Sequence, residues 1–527
     1  MKTFGLKALG CAALVASTFT ALPVWAETTL TAVMQAPLRS LDPHLSTAQI
    51  VRTHGFMVFE TLLGMDDKYQ PQPQMADFAV SDDMLTYTFT LRDGLQWHDG
   101  TPVVAEDAVA SINRWSQKDG SGGTMMTYVE SIEATSDKVL TIKLKSPFAP
   151  LLELLAKPSP IPAFIMPKRL ADTPVGEQVI EMVGSGPFKF VADEYRPGDQ
   201  AVYVKNMDYT PREEPSSWTA GAKVVNVDKV VWQAMPDMQT SINAIQSGDV
   251  DLIEQVTIDL LPLLAMNDEV ETGIKNPLGA QVTGRFNHRL PPFDNPQVRK
   301  AVMYALDQET IMQTAIGNPD FFQLCPSIYG CEVPLASDVG AEYLAGTADE
   351  RMAKAKEILA ASGYDGTPVL MMQPTDLTVL TTQPIVAAER MREAGFTVDV
   401  ASMDWSTLQS RKNGWQPVAD GGWNFFFTYW GVAGIWNPLV HSLINGSGDD
   451  NSWAGWPVNA RIEELRAAYL TAGSLDEQKE IAKEIQKITW DDAFYFNAGE
   501  FKSVAAWRTE LKDVPAGPIT LFWGVSK

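Results

Sequence analysis

Phe89-Thr-Leu-Arg-Asp-Gly-Leu-Gln-Trp-His-Asp-Gly-Thr-Pro-Val-Val-Ala-Glu-Asp-Ala-Val-Ala-Ser-Ile-Asn-Arg-Trp115 is the stretch on which the reading of this chain turns. Leu85, Tyr87, Phe89 and Leu91 alternate with threonines, the period of a half-buried strand. Asp93-Gly94 predicts a tight turn, Leu95 to Trp97 a second short strand, and Asp99-Gly100 another turn. Thr101-Pro102 then leads into a helix that brings Val109, Ile112 and Trp115 near one face. Trp97 and His98 read as packing beneath a turn.

The rest of the chain bounds what this stretch can belong to. With 527 residues it exceeds what one hydrophobic core supports, so two or more domains are expected. A composition 45% apolar and 20% charged is that of a globular protein. Residues 1–26 read as a secretory signal peptide: Lys2 and Lys7, an apolar run from Ala8 to Leu22, and a small-x-small site at Val24-Trp25-Ala26. Cys11 leaves a lipoprotein as the alternative, although it stands near the start of the apolar run. The formal net charge is −24, which argues against binding nucleic acid. Beyond the leader only Cys325 and Cys331 remain. In an oxidising compartment the sequence Cys-Pro-Ser-Ile-Tyr-Gly-Cys predicts a small disulfide loop. A zinc site would need further ligands nearby, so no metal is expected, and no cofactor.

The opening stretch closely resembles a signature of the extracytoplasmic solute-binding proteins of family 5, which include the oligopeptide-, dipeptide- and nickel-binding components of ABC importers. The matching positions are Leu91, Arg92, Asp93, Gly94, Trp97, Asp99, Gly100, Pro102, Ala105 and Asp107. Gly184-Ser185-Gly186-Pro187-Phe188 and the run Pro292-Phe293-Asp294 to Val298-Arg299 and Ala301 resemble further family landmarks. The resemblance implies an α/β, two-lobed periplasmic-binding-protein fold (type II) with an additional smaller domain on the first lobe. It places lobe I at 27–57, 183–284 and 503–527, the additional domain at 58–182, and lobe II at 285–502. The α/β alternation of lobe II leads us to expect parallel strand pairing there. The implied role is a periplasmic receptor that is not an enzyme, takes a peptide or peptide-like solute, works as a monomer and delivers to an inner-membrane permease. A sugar, an opine-like acid or a metal chelate remains the alternative solute, and a secreted hydrolase the alternative class.

Two segments are expected at the ligand. Ser40-Leu41-Asp42-Pro43-His44 resembles a family landmark, and the backbone just before it, Pro37, Leu38 and Arg39, maps to the part that pairs with extended ligands. Pro37 has no N–H to offer. Arg39 reads either as a partner for a ligand carboxylate or as a solvated surface arginine. The second segment runs from Trp415 to Trp436 and is dense in aromatics. Phe425 and Phe427 read as a buried strand, whereas Tyr429, Trp430 and Trp436 flank glycines and read as a ligand wall. Peptide-binding relatives carry an Asp for the ligand's α-amine about four residues before a Pro; here that position falls on Gly434, before Pro438. The five histidines have no metalloprotease spacing, and no Gly-x-Ser-x-Gly or phosphate-loop motif occurs where glycines cluster at 184–186.

Overall fold

The computed structural model describes Met1, Gly5 and residues 27–527 apart from 236, 450, 451 and 473. The expected leader at 1–26 lies, those two residues aside, outside the described residues. Among the described residues three larger sheets organise an α/β molecule. The first has seven strands in the order Phe188–Phe190, Gln200–Lys205, Lys229–Gln233, Thr29–Val33, Leu252–Val256, Val504–Arg508 and Val270–Ile274. Thr29–Val33 pairs in parallel with both neighbours. Leu30, Ala32, Val230, Trp232, Leu252 and Ile253 are all buried, as parallel strands covered on both faces require.

The second sheet has six strands in the order Phe322–Gln323, Tyr495–Phe501, Ala280–Phe286, Phe425–Gly431, Val369–Pro374 and Val398–Met403. Parallel pairing is confined to Val369–Pro374 and its two neighbours; the other ladders are antiparallel. The chain enters this sheet along Ala280–Phe286 and leaves it along the adjacent Tyr495–Phe501, which forces the two to run in opposite directions. Residues 275–279 and 502–503 therefore join the two sheets. The boundary expected at 284 falls inside Ala280–Phe286.

The opening stretch belongs to the third sheet, of four antiparallel strands in the order Ala76–Val80, Thr86–Leu91, Val139–Leu144 and Val129–Ser136. Tyr87 faces Ile142 and Phe89 faces Leu140 across the register. The short strand expected at 95–97 reduces to one bridge, Gln96 to Pro102. Asp107 holds the following helix, Ala105–Ser116, in place. Its carboxylate accepts the Val104 N–H at 3.0 Å, the Trp97 indole N–H at 3.2 Å and the Lys168 N–H at 2.7 Å. Ile112 and Trp115 are fully buried beneath the sheet.

Helix starts follow local chemistry. Asp237, Asp307, Asp404 and Ser474 each accept a first-turn N–H. Gly395 ends the helix Gln383–Ala394 at φ 109°, a left-handed conformation that suits glycine. Phe56, Phe59 and Leu63 have the spacing of a helix over 53–63, but the helix spans Gln49–Val58. Glu60–Thr61 is drawn into a two-stranded ladder with Phe164–Ile165, a pairing about a hundred residues distant that no local pattern announces. Cys325 and Cys331 are bridged, with their Cα atoms 5.8 Å apart. Glu500 lies beside them.

Candidate functional site

A cleft of about 660 Å³ opens between the two larger sheets, a size suited to a small solute. One wall is the loop and first helical turn from Ala36 to Val51. The facing wall is the helix Trp405–Arg411 with the loop that continues to Trp415. The third sheet's body contributes Gln117 to Ser121, and Leu439 to Trp456 close the remaining side. The segments come from widely separated parts of the chain, so the cleft depends on the complete fold.

Its charge contrasts with that of the chain. Among the described residues the lining cations are Arg39, Lys118, Lys412 and Arg466 and the lining acids are Asp119 and Asp376. Asp119 is already neutralised by Lys157, 2.5 Å away, with both side chains buried. Asp376 is exposed and accepts the Trp405 N–H at 2.6 Å. Arg466 is paired with Glu463 at 2.8 Å. Lys412 differs from them all. It is 6% exposed, its Nζ donates to Asn413 Oδ1 at 2.9 Å, and it lies 5.1 Å over the ring of Trp453. Burial, with no compensating carboxylate, pushes its pKa down to about 8. The cleft thus presents an ammonium with one neutral hydrogen-bond acceptor and an aromatic face.

Trp405, Trp415, Trp453 and Trp456 also line the cleft. The Arg289 guanidinium lies 4.7 Å from the ring of Trp415 and 5.1 Å from that of Trp456. Such indoles give flat apolar surface for a ligand's body while the cations meet its charge.

The expected site residues distribute unevenly. Pro37 and Arg39 line the cleft. Arg39 is exposed, and its guanidinium passes close to Gly198. Leu38 is buried, and its carbonyl already accepts the Gly198 N–H at 2.9 Å and the Tyr195 hydroxyl at 3.3 Å. Tyr429 and Trp430 continue the strand Phe425–Gly431 that holds Phe425 and Phe427, and line a smaller chamber of about 50 Å³ beside the cleft. The Tyr429 hydroxyl reaches Gln35 Oε1 at 3.2 Å, a bond between the bodies of the two large sheets. Gly434 is buried, and a Cβ placed on it would stand 2.6 Å from Ser159 Oγ. Trp436 packs against Tyr69, ring centres 5.3 Å apart, and lines neither the cleft nor the chamber.

Sequence reasoning passed over Lys412 and Trp453 on the cleft wall and Arg52, which lines the smaller chamber. Arg-Lys-Asn-Gly at 411–414 looks like any solvated turn. Arg52 looks like the polar face of a helix. Trp405, Trp453 and Trp456 carry the same signal used for 429–436, indoles beside turn residues, and that signal could have found them.

Comparison with known proteins agrees with this architecture. The family described as bacterial extracellular solute-binding proteins, family 5 Middle, matches residues 70–452. A probable peptide ABC transporter periplasmic-binding protein, y4tO of Sinorhizobium fredii, is 37% identical over 493 residues, 93% of this chain and 92% of the relative. Among solved structures, AgaA from A.tumefacien in complex with agropinic acid superposes with a TM-score of 0.79 at 21% identity, covering 94% of this chain and 98% of that one. DppA from Helicobacter pylori in complex with the peptide STSA gives 0.78 at 20% identity, over 94% and 98%. The two-lobed type II fold, the cleft between its sheets and the family match over most of the chain lead to one conclusion: this chain belongs to the bacterial extracellular solute-binding proteins, family 5, and is a solute-binding receptor.

Proposed function

We propose that this receptor is the periplasmic component of an ABC importer that captures a small carboxylate-bearing solute and hands it unchanged to an inner-membrane permease. The carrying observation is Lys412, a buried ammonium on the cleft wall that meets no carboxylate among the described residues. A ligand carboxylate supplies the missing partner, and the dry, aromatic surroundings strengthen that attraction. The 37% identical relative is named for peptide transport, which supports a peptide-like solute. The fold by itself does not choose, since agropinic acid and a peptide occupy structures that superpose equally well.

A ligand ammonium finds less support. Gly434 offers no carboxylate, Asp119 is already paired, and Asp376 is exposed. In this reading the leader at 1–26 directs export. Lobe I is built on the seven-stranded sheet and lobe II on the six-stranded one, 58–182 form the additional domain, and rotation about 275–279 and 502–503 closes the lobes over the solute. The receptor works as a monomer, without cofactor, metal or nucleic acid.

Calorimetry of the mature protein tests the charge preference with dipeptides, their N-acetylated forms and their C-terminal amides. N-acetylation should leave affinity intact. Amidation should weaken it about 10-fold or more, the loss of one charge-assisted hydrogen bond. Binding that acetylation abolishes and amidation spares would overturn the reading.

A further inference from the structure

The small chamber beside the cleft is a second place where the protein lacks acceptors. It is lined by Gln35 and Arg52 from the first body and by Tyr429 and Trp430 from the second, with Trp453 between it and the cleft. Thr47, Ala48, Trp405, Gln409 and Trp453 line both spaces, so the chamber adjoins the cleft. Among the described residues no Asp or Glu lines it. Three of its residues hold buried N–H donors that find no acceptor among the described residues: Arg52 Nε, Trp430 Nε1 and Trp453 Nε1. Arg52 and Trp430 are each 6% exposed.

Arg52 is a cation without a salt bridge among the described residues. Its Nη1 donates to the carbonyls of Thr47 and Pro160, both at 3.2 Å. Tyr429 and Glu254 act on it, and it repels the buried Lys157 ammonium, which Asp119 pairs. Glu254 is already held by the Gln35 N–H at 2.8 Å, the Gln49 amide at 3.0 Å and the Thr520 hydroxyl at 2.6 Å. The helix Gln49–Val58 starts here with Ala48, which contributes no side-chain cap. Unsatisfied buried donors are rare because each carries a desolvation penalty. Three around one chamber, with a guanidinium among them, mark a place shaped for oxygen acceptors and negative charge.

We propose that this chamber is an anion subsite that takes a carboxylate of the solute, between the Arg52 guanidinium and the indole N–H groups of Trp430 and Trp453. The volume of about 50 Å³ exceeds the roughly 10–15 Å³ that one water needs and suits a single carboxylate rather than a larger group. The solute class follows: an acid with one carboxylate in the chamber, its body along the indoles of the cleft, and a second acidic or polar end free to meet Lys412. Arg52 and Trp430 belong to different bodies, so a carboxylate between them favours the closed arrangement by contacts that the open one cannot make. This inference rests on the preference for acidic solutes proposed above and adds where one carboxylate goes.

The test uses the same dipeptide acids and amides on the full mature chain, with Arg52→Met, Trp430→Phe and Lys412→Met compared by calorimetry and by the indole N–H resonances. In the unaltered protein the Trp430 resonance, identified by its loss in Trp430→Phe, should move downfield with the acid and stay with the amide. Arg52→Met should shrink the acid-over-amide preference by about 10- to 100-fold, and Trp430→Phe by a smaller factor. If Arg52→Met does not fold, the resonance shift and Trp430→Phe decide. An acid preference that survives Arg52→Met and Trp430→Phe, with a silent Trp430 resonance, overturns the chamber assignment while leaving acidic-solute recognition standing. No acid preference in the unaltered protein overturns both.

Discussion

Lys412 is a residue the fold holds at a disadvantage. An ordinary lysine titrates near 10.5; burial brings this one to about 8. The unfolded chain therefore binds the proton more tightly, and Lys412 destabilises the solute-free protein by an amount that is full below pH 8 and fades as pH rises toward 10.5. At 1.36 kcal/mol per pK unit the penalty is on the order of 3 kcal/mol. Replacing it by methionine keeps the stem against Trp453 and removes the buried charge. Lys412→Met should raise the thermal midpoint of the solute-free receptor at pH 7 while weakening capture of acids; a midpoint that falls would contradict the account of an uncompensated ammonium. A bound carboxylate raises the lysine's pKa again, so capture takes up protons above pH 8. Affinity for an acid should be constant from pH 6 to about 7.5 and decline at pH 9. Titrations in buffers of different ionisation enthalpy at pH 8.5 would reveal that uptake as a buffer-dependent heat.

At the scale of elements, the landmark Ser-Leu-Asp-Pro-His owes its place to architecture. Asp42 is fully buried and bridges Arg114, on the helix Ala105–Ser116, with contacts of 2.7 and 3.2 Å. It also accepts the N–H groups of His44 at 3.0 Å and Val179 at 2.9 Å. One carboxylate thus ties the first lobe's loop to the smaller domain. Asp42→Ala leaves a buried guanidinium unpaired and should destabilise by about 3–5 kcal/mol, read by denaturant unfolding. A loss under about 1 kcal/mol would mean that water replaces the pair freely.

The same loop shows what sequence can and cannot deliver. Local signals located the strand Thr86–Leu91 and the helix Ala105–Ser116, because period and turn chemistry act over a few residues. The helix misplaced at 53–63 and the strand carried on through Tyr429, Trp430 and Gly431 were decided by partners far along the chain. The site suffered most. Arg52, Lys412 and Trp453 converge only after three distant segments fold together, and none of the three carries a motif. The absence of an acid at Gly434 was visible, but that Ser159 packs into the space above it was not.

At the scale of the molecule, the surface and the site carry opposite signs. A chain of net charge −24 surrounds a cleft whose unpaired charges, among the described residues, are mostly positive, which confines attraction of an anion to the mouth between the lobes. Capture of an acid should therefore slow as ionic strength rises, since screening acts over roughly 10 Å at 0.1 M salt. The claim that unites the scales is that this receptor holds an acidic solute and leaves it intact. Native mass spectrometry of the mature protein, purified without added ligand and then denatured, addresses it most directly. The account predicts one carboxylate-bearing solute per chain, released with its mass unchanged after prolonged incubation. A bound solute without an acidic group, or one converted to new masses over time, would contradict it.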